Sequence, residues 1–417
     1  MNRTTEIRPL IPESSTSEST TVEVVMNDMR DNMLIIPDYQ RDSDQWEEPT
    51  KSLLVESVIN NLSIPAFFFE VSVEAGLERN EVVDGQQRLT TLYDFYKNKF
   101  PLVDSQLAPY LSPNSIHYAG RTFEELPPAY QQSFKKYRLA VIKLRNLGEM
   151  RLEVFRRINQ GGTPLSGQDI RLAYYGDKSP SLAFIRLTGV YNPERLAAKR
   201  FLTNAKSLFG LDYPWKSNSA SEAWRDWWEG KDIAHGQTAS ETFLWSFVCA
   251  QCEQLDKILQ NEAALVKLRA TFHRAIDEAL DVCCAQLRYQ DNDSTIPPVL
   301  MTLSDLRDSF FPYFEKWVGL ELGQKGTGIA VSKHRIVAAI IGAAFNSKVD
   351  PTTLVAQQWT NIVEFVRRPQ EIAKKLNCDW PVSKGRWDGQ KGYRAQIAAA
   401  HKIIKRIADA GQATGQP

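Results

Sequence analysis

The chain has 417 residues, 43% of them hydrophobic and 24% charged, with 50 Lys+Arg against 50 Asp+Glu and a formal net charge of zero. Those proportions fit a soluble globular protein and exclude a collagen, a coiled-coil rod, a mostly disordered chain and a disulfide-rich mini-protein. No apolar run reaches the roughly 18–20 residues of a membrane span and no signal-peptide core is visible, so a cytoplasmic protein of two or three domains is expected.

In chain order, residues 1–21 are rich in Ser, Thr, Glu and Pro and predict a flexible tail. Val22–Asn32 predicts a short helix, and Met33–Pro37 is a short apolar run stopped by proline. Apolar spacing through Leu53, Leu54, Val58, Ile59 and Leu62 predicts a helix over Glu48–Leu62. Ala66–Val73 and Asn80–Val83 predict strands, the second ended by Asp84-Gly85. Gln86–Lys99 returns to helical spacing, and Tyr137–Leu144 alternates like a strand. Glu149–Asn159 and Ser166–Tyr175 predict helices on either side of Gln160-Gly161-Gly162-Thr163-Pro164. From about residue 176 the patterns are mainly helical, with long amphipathic stretches at 241–287, 299–322, 329–346, 352–376 and 391–409. The expected fold class is α+β: a mixed domain over 22–175, then a helical region over 176–417 with a candidate division near 288–298.

Three segments carry polar groups in patterns that suit chemistry. In Asp84-Gly85-Gln86-Gln87-Arg88-Leu89-Thr90-Thr91 a strand gives way to a helix across a glycine. The N–H groups of a helix start favour an anion such as phosphate. Arg88 offers a planar fork for phosphate oxygens, Gln86 and Gln87 offer amides, and Asp84 is a candidate holder of hydrated Mg²⁺. The plain alternative is an Asp that caps the helix and an Arg on its solvated face. Ile36-Pro37-Asp38-Tyr39-Gln40-Arg41, followed by Trp46, repeats the theme in a proline-fixed turn, or is a surface loop with aromatic anchors. Arg156-Arg157-Ile158-Asn159 runs into the Gly-Gly turn and suits a phosphate or a solvated basic face.

Together, in this order, the segments resemble the GmrS-type domain. This is the N-terminal domain of GmrSD-like modification-dependent restriction enzymes and of SspE-type phage-defence proteins, related to the ParB/sulfiredoxin fold. The resemblance covers about residues 22–175 and rests on Ile36–Arg41, Asp84–Thr91 and Asn159–Ser166. It implies nucleoside triphosphate (GTP, ATP or CTP) binding and hydrolysis. Asp84, Gln87 and Arg88 would be central, with Tyr39, Gln40, Arg41, Gly85, Gln86, Thr90, Arg157 and Asn159 around the nucleotide. It also implies a role in antiphage defence tied to DNA, including modified phage DNA. Two departures stand out. Relatives often have an aromatic close after the Gln-Arg and a Trp four residues past the Arg, whereas here Trp46 lies five past Arg41 with no nearer aromatic, and His117, His235, His273, His334 and His401 do not form the His-centred nuclease of longer relatives. A separately encoded nuclease partner is therefore expected, or cutting by the N-terminal domain itself as a metal-dependent nickase. A non-catalytic module switched by nucleotide is a further alternative, and homo-oligomerisation stays open.

Charge blocks bear on the DNA partner. Residues 1–100 carry a net −9, 101–200 a net +7, 201–300 a net −5 and 301–417 a net +7. In the last part Arg367, Arg368, Lys374, Lys375, Arg386, Lys391 and Arg394 alternate with aromatics and suit DNA backbone contact, or a solvated helix face. Tyr213, Trp215, Trp224, Trp227 and Trp228 suit core packing or a cage for a modified base. Cys249-x-x-Cys252 with Cys283-Cys284 invites a zinc reading, against buried free thiols on packed helices. Gly323–Gly328 lacks Walker A spacing.

Overall fold

The computed structural model describes residues 15–36, 46–74, 76–104, 106–108, 110, 113–147, 154, 157–158, 168, 171–172, 175–176, 178–194, 196–229, 238–268, 278–295, 297–324, 328–375, 377 and 390–413. The chain forms two compact units, Met1–Pro164 and Leu165–Pro417.

The first unit runs β1 (Ser15–Thr21), α1 (Val22–Arg30), β2 (Leu34–Ile35), α2 (Glu48–Ile59), β3 (Phe67–Glu74), β4 (Leu77–Asp84), α3 (Gln86–Tyr96), α4 (Pro128–Lys136) and β5 (Arg138–Leu144). The strands form one sheet in the order β1-β5-β3-β4-β2. The β3–β4 and β1–β5 pairs are antiparallel, whereas β3–β5 and β2–β4 are parallel. Strand alternation sends Phe67, Phe69, Val82, Leu139 and Val141 to one face. There they share a core with Val25 and Met26 of α1, Val55 and Val58 of α2, Leu89, Leu92 and Phe95 of α3, and Phe134 of α4. The intervening Phe68, Val83, Ile142 and Leu144 meet Leu147, Val154 and Ile158 in a second cluster. Both faces are covered, which is why β3 reads as an apolar run rather than a strict alternation.

The expected tail over 1–21 is corrected at its end. Ser15–Thr21 pairs along its whole length with β5, from Ser15 opposite Leu144 to Thr21 opposite Arg138. An edge strand is held by main-chain hydrogen bonds and needs little apolar side chain, so polar composition did not reveal it. Glu18 adds an ion pair to Lys143 at 3.0 Å, and Thr21 caps α1 by accepting from the Val24 N–H.

The second unit is helical: α5 (Pro180–Thr188), α6 (Leu196–Phe209), α7 (Ser219–Trp228), α8 (Thr238–Ala250), α9 (Cys252–Leu259), α10 (Glu262–Lys267) and α11 (Glu278–Asn292) come first. Leu303–Asp305 then opens a passage through a π-helical stretch, Leu306–Phe310, into α12 (Phe311–Val318) and out through a second π-helical stretch, Gly319–Gln324. It ends with α13 (His334–Asn346), α14 (Ala356–Arg367), α15 (Pro369–Lys375) and α16 (Gln390–Ala413). The expected amphipathic stretch over 241–287 is thus made of several shorter helices. The first break falls at Gln251, whose side chain accepts from the Met301 N–H at 3.0 Å. Residues 165–417 form one unit with α11 continuing to Asn292, so no boundary between compact units falls at 288–298.

Trp224 and Trp228 are fully enclosed, and Trp215 stacks on Trp224 with centroids 5.4 Å apart. Phe311 and Phe314 close the cluster edge-on. This aromatic segment is core, not a cage open to a base. Cys249, Cys283 and Cys284 are buried, and burial pushes their thiols up. These three pack as small apolar groups, and no group of three or more His, Cys, Asp or Glu able to hold a metal ion occurs among the described residues. Among those residues no helix is long and apolar enough to cross a membrane.

Candidate functional site

The site is built where β4 hands over to α3. Val82 and Val83 fix the strand from opposite faces, because one belongs to each apolar cluster. Gly85 then takes φ 97°, a left-handed conformation that favours glycine, and serves as the N-cap of α3 without a side-chain cap. A Cβ at Gly85 would lie 2.5 Å from Cδ1 of Phe67, so the glycine also lets the turn settle onto that ring. The result is a helix start whose N–H groups have no carbonyl one turn earlier to accept from them.

Asp84 and Arg88 face each other across this turn. Arg88 Nη2 donates to Asp84 Oδ2 at 3.1 Å. The Arg88 Nη1 group also donates to the carbonyls of Pro65 and Ala66, the latter at 3.2 Å. The guanidinium lies over the Phe67 ring, 4.7 Å from its centroid. Its side chain is only 12% exposed, against 36% for Asp84. Burial pushes the Arg88 guanidinium down from its usual value and the Asp84 charge opposes that. From so high a starting value it stays charged. Thr90 is buried at 6% exposure, one turn into the helix and on its core side. Its hydroxyl has no partner among the described residues.

The other two segments approach the same end of the sheet. β2 runs parallel to β4, with Ile35 opposite Glu81, so Ile36 leaves the sheet at the end where β4 delivers Asp84. Ile36 and Trp46 both pack against the main core of this unit. The residues between them, including Tyr39, Gln40 and Arg41, lie outside the described residues. Of the third segment, Val154, Arg157 and Ile158 are helical, and Val154 and Ile158 pack in one cluster with Val83, the neighbour of Asp84. Arg157 is exposed, and Asn159 lies outside the described residues.

Residues 22–176 match the family model described as the GmrSD restriction endonuclease, N-terminal domain. This segment is a GmrSD-type N-terminal domain. No curated protein and no solved structure matches the chain. The GmrSD-type match covers well under half of the sequence and takes in all three motif segments. It also runs past the end of the first compact unit into residues that pack with the helical unit.

The basic residues of the helical unit are less concentrated than their sequence spacing suggests. Arg368 and Lys375 both reach Glu371, at 3.8 and 2.7 Å, and Arg394 reaches Asp256 at 3.2 Å. Lys374 is exposed on α15, and Arg367 closes α14. Lys391 lies on α16, and Arg386 lies outside the described residues.

One charged group escaped the sequence reading. Glu241 is buried on α8 between two arginines: Arg171 Nη1 donates to its Oε2 at 3.2 Å and Arg335 Nη2 to its Oε1 at 2.9 Å. Arg171 also donates to Asp281 at 2.9 Å and to Gln168 at 2.9 Å. Burial works against the Glu241 charge, but His334, Arg335 and Arg171 more than offset it and hold the carboxyl well below its ordinary range. The cluster fastens the segment that follows the Gly-Gly turn to α8, α11 and α13. A lone Glu in the apolar stretch Thr238–Ala250 was its only signal in the sequence.

Proposed function

We infer that this protein is a component of a phage-defence restriction system that binds and hydrolyses a nucleoside triphosphate at the β4–α3 turn. The observation that carries the reading is convergence. Ile36 leaves β2, Asp84 ends β4, and Val154 with Ile158 lies over Val83, all at one end of one sheet. The GmrSD-type domain match supports the defence role. In this reading the start of α3 receives phosphate oxygens, where backbone N–H groups and the helix dipole favour negative charge. Gln86 and Gln87 supply amides in the first turn. Asp84 keeps Oδ1 outside its ion pair with Arg88. One carboxylate oxygen together with nucleotide phosphates and waters is a ligand set that Mg²⁺ accepts, so Asp84 fits as its holder. Bound Mg²⁺ would neutralise phosphate charge. The chain's own part is to orient the phosphates and the attacking water.

DNA is the second partner in this reading, met by the exposed cations of α14–α16, with a separately encoded nuclease to cut. Titration with GTP, ATP and CTP in the presence of Mg²⁺, with phosphate release followed with and without DNA, tests the proposal. One of the three is expected to bind and turn over, and Asp84→Asn to abolish turnover. A wild-type protein that binds none of them overturns it.

A further inference from the structure

We propose that Arg88 is a positioning residue, not a phosphate ligand: it clamps Asp84 and the Pro65–Phe67 strand entry so that the carboxylate is aimed at the turn. This rests on the nucleotide reading above and narrows it. The guanidinium is already committed on three sides, to the Pro65 and Ala66 carbonyls and to Asp84 Oδ2, and its face lies on Phe67. To reach a phosphate it would have to give up its bonds to two main-chain carbonyls, one exposed and one half-buried, together with its contact to the Phe67 ring. It would also have to leave a pocket in which it is 12% exposed. Asp84, three times as exposed, is the member of the pair that faces outward. The acceptors come from residues 22 and 23 positions earlier, so the clamp ties the start of β3 to the end of β4 and the first turn of α3. A lysine has neither the planar fork nor the stacking face to make all of these contacts at once.

Three variants in the full-length chain, Arg88→Gln, Arg88→Lys and Phe67→Leu, test the assignment. Each is titrated with the triphosphate that the wild type binds and with the matching diphosphate, and phosphate release is measured alongside. A positioning role predicts that both Arg88 variants lose turnover on the order of 100-fold, as a misaimed group does. It predicts that the ratio of triphosphate to diphosphate affinity is kept, and that Phe67→Leu, which removes no charge, lowers turnover in the same direction. A ratio that collapses toward one in Arg88→Gln, with Phe67→Leu at wild-type turnover, places Arg88 on the terminal phosphate and overturns the assignment. Amide hydrogen exchange of the nucleotide-free protein over residues 64–92 gives a separate reading. Faster exchange at 66–68 and 84–88 in Arg88→Gln supports the clamp, and unchanged exchange overturns it. If the wild type binds no nucleotide, the proposed function fails, and exchange alone then judges the clamp.

Discussion

At Gly85 two demands coincide: a φ of 97° and the Phe67 ring 2.5 Å from where a Cβ would stand. Alanine there meets both the left-handed penalty and an overpacked contact. Gly85→Ala is expected to lower unfolding free energy by about 2–4 kcal/mol in urea titration. The strand-to-helix turn was legible in the sequence, because Val82-Val83-Asp84-Gly85 ends an apolar run on a residue without a side chain. The short separation of Asp84 and Arg88 across that turn was also visible there, although Asp84 ends β4 and lies outside the helix. The burial of Arg88 was not. It depends on two carbonyls and a ring that come from β3 and its approach, and no local pattern reports a contact across 22 residues.

Among the elements, the aromatic wall between α7 and α12 shows how composition leaves two readings that packing decides. Trp224 lies between Trp215, Trp228 and Phe314, fully enclosed. Trp224→Ala is expected to cost about 3–5 kcal/mol of stability, measured by chemical denaturation. A ligand cage would show the reverse, lost binding with little lost stability. The helices α1, α2 and α3 were legible because each buries an apolar stripe at helical spacing. β1 was not, because its fixed feature is a main-chain ladder and its side chains are Ser, Thr and Glu. The break at Gln251 was hidden for a related reason. Apolar periodicity continues through Gln251, and only a side-chain hydrogen bond to the distant Met301 marks the turn.

For the whole molecule, charge acts through where it is buried. Glu241 is held well below its ordinary value of 4.5 in the folded chain, so the unfolded chain binds its proton more readily. Its contribution to stability is therefore complete above about pH 4.5 and is lost as pH falls below that. Thermal unfolding followed from pH 7 down to pH 3 should show this loss, and Glu241→Gln should flatten it. The same variant leaves Arg171 and Arg335 facing a neutral amide and is expected to cost about 3–5 kcal/mol at pH 7. On the surface the zero net charge has a local counterpart, because Glu371 occupies both Arg368 and Lys375. If these helices meet DNA, Glu371→Gln should tighten duplex binding and steepen its salt dependence by about one to two in log–log slope. An unchanged slope would remove α15 from the DNA surface.

The π-helical stretch Leu306–Phe310 sets the phase of everything that follows it. Leu306 and Phe310 are both buried while Arg307, Asp308 and Ser309 between them face solvent, the i and i+4 spacing that keeps two side chains on one face. A residue added to this stretch would turn Phe311, Phe314 and Trp317 by about 100° about the axis relative to Leu306. The segment is therefore sensitive to its length, whereas its three solvent-facing positions accept other side chains.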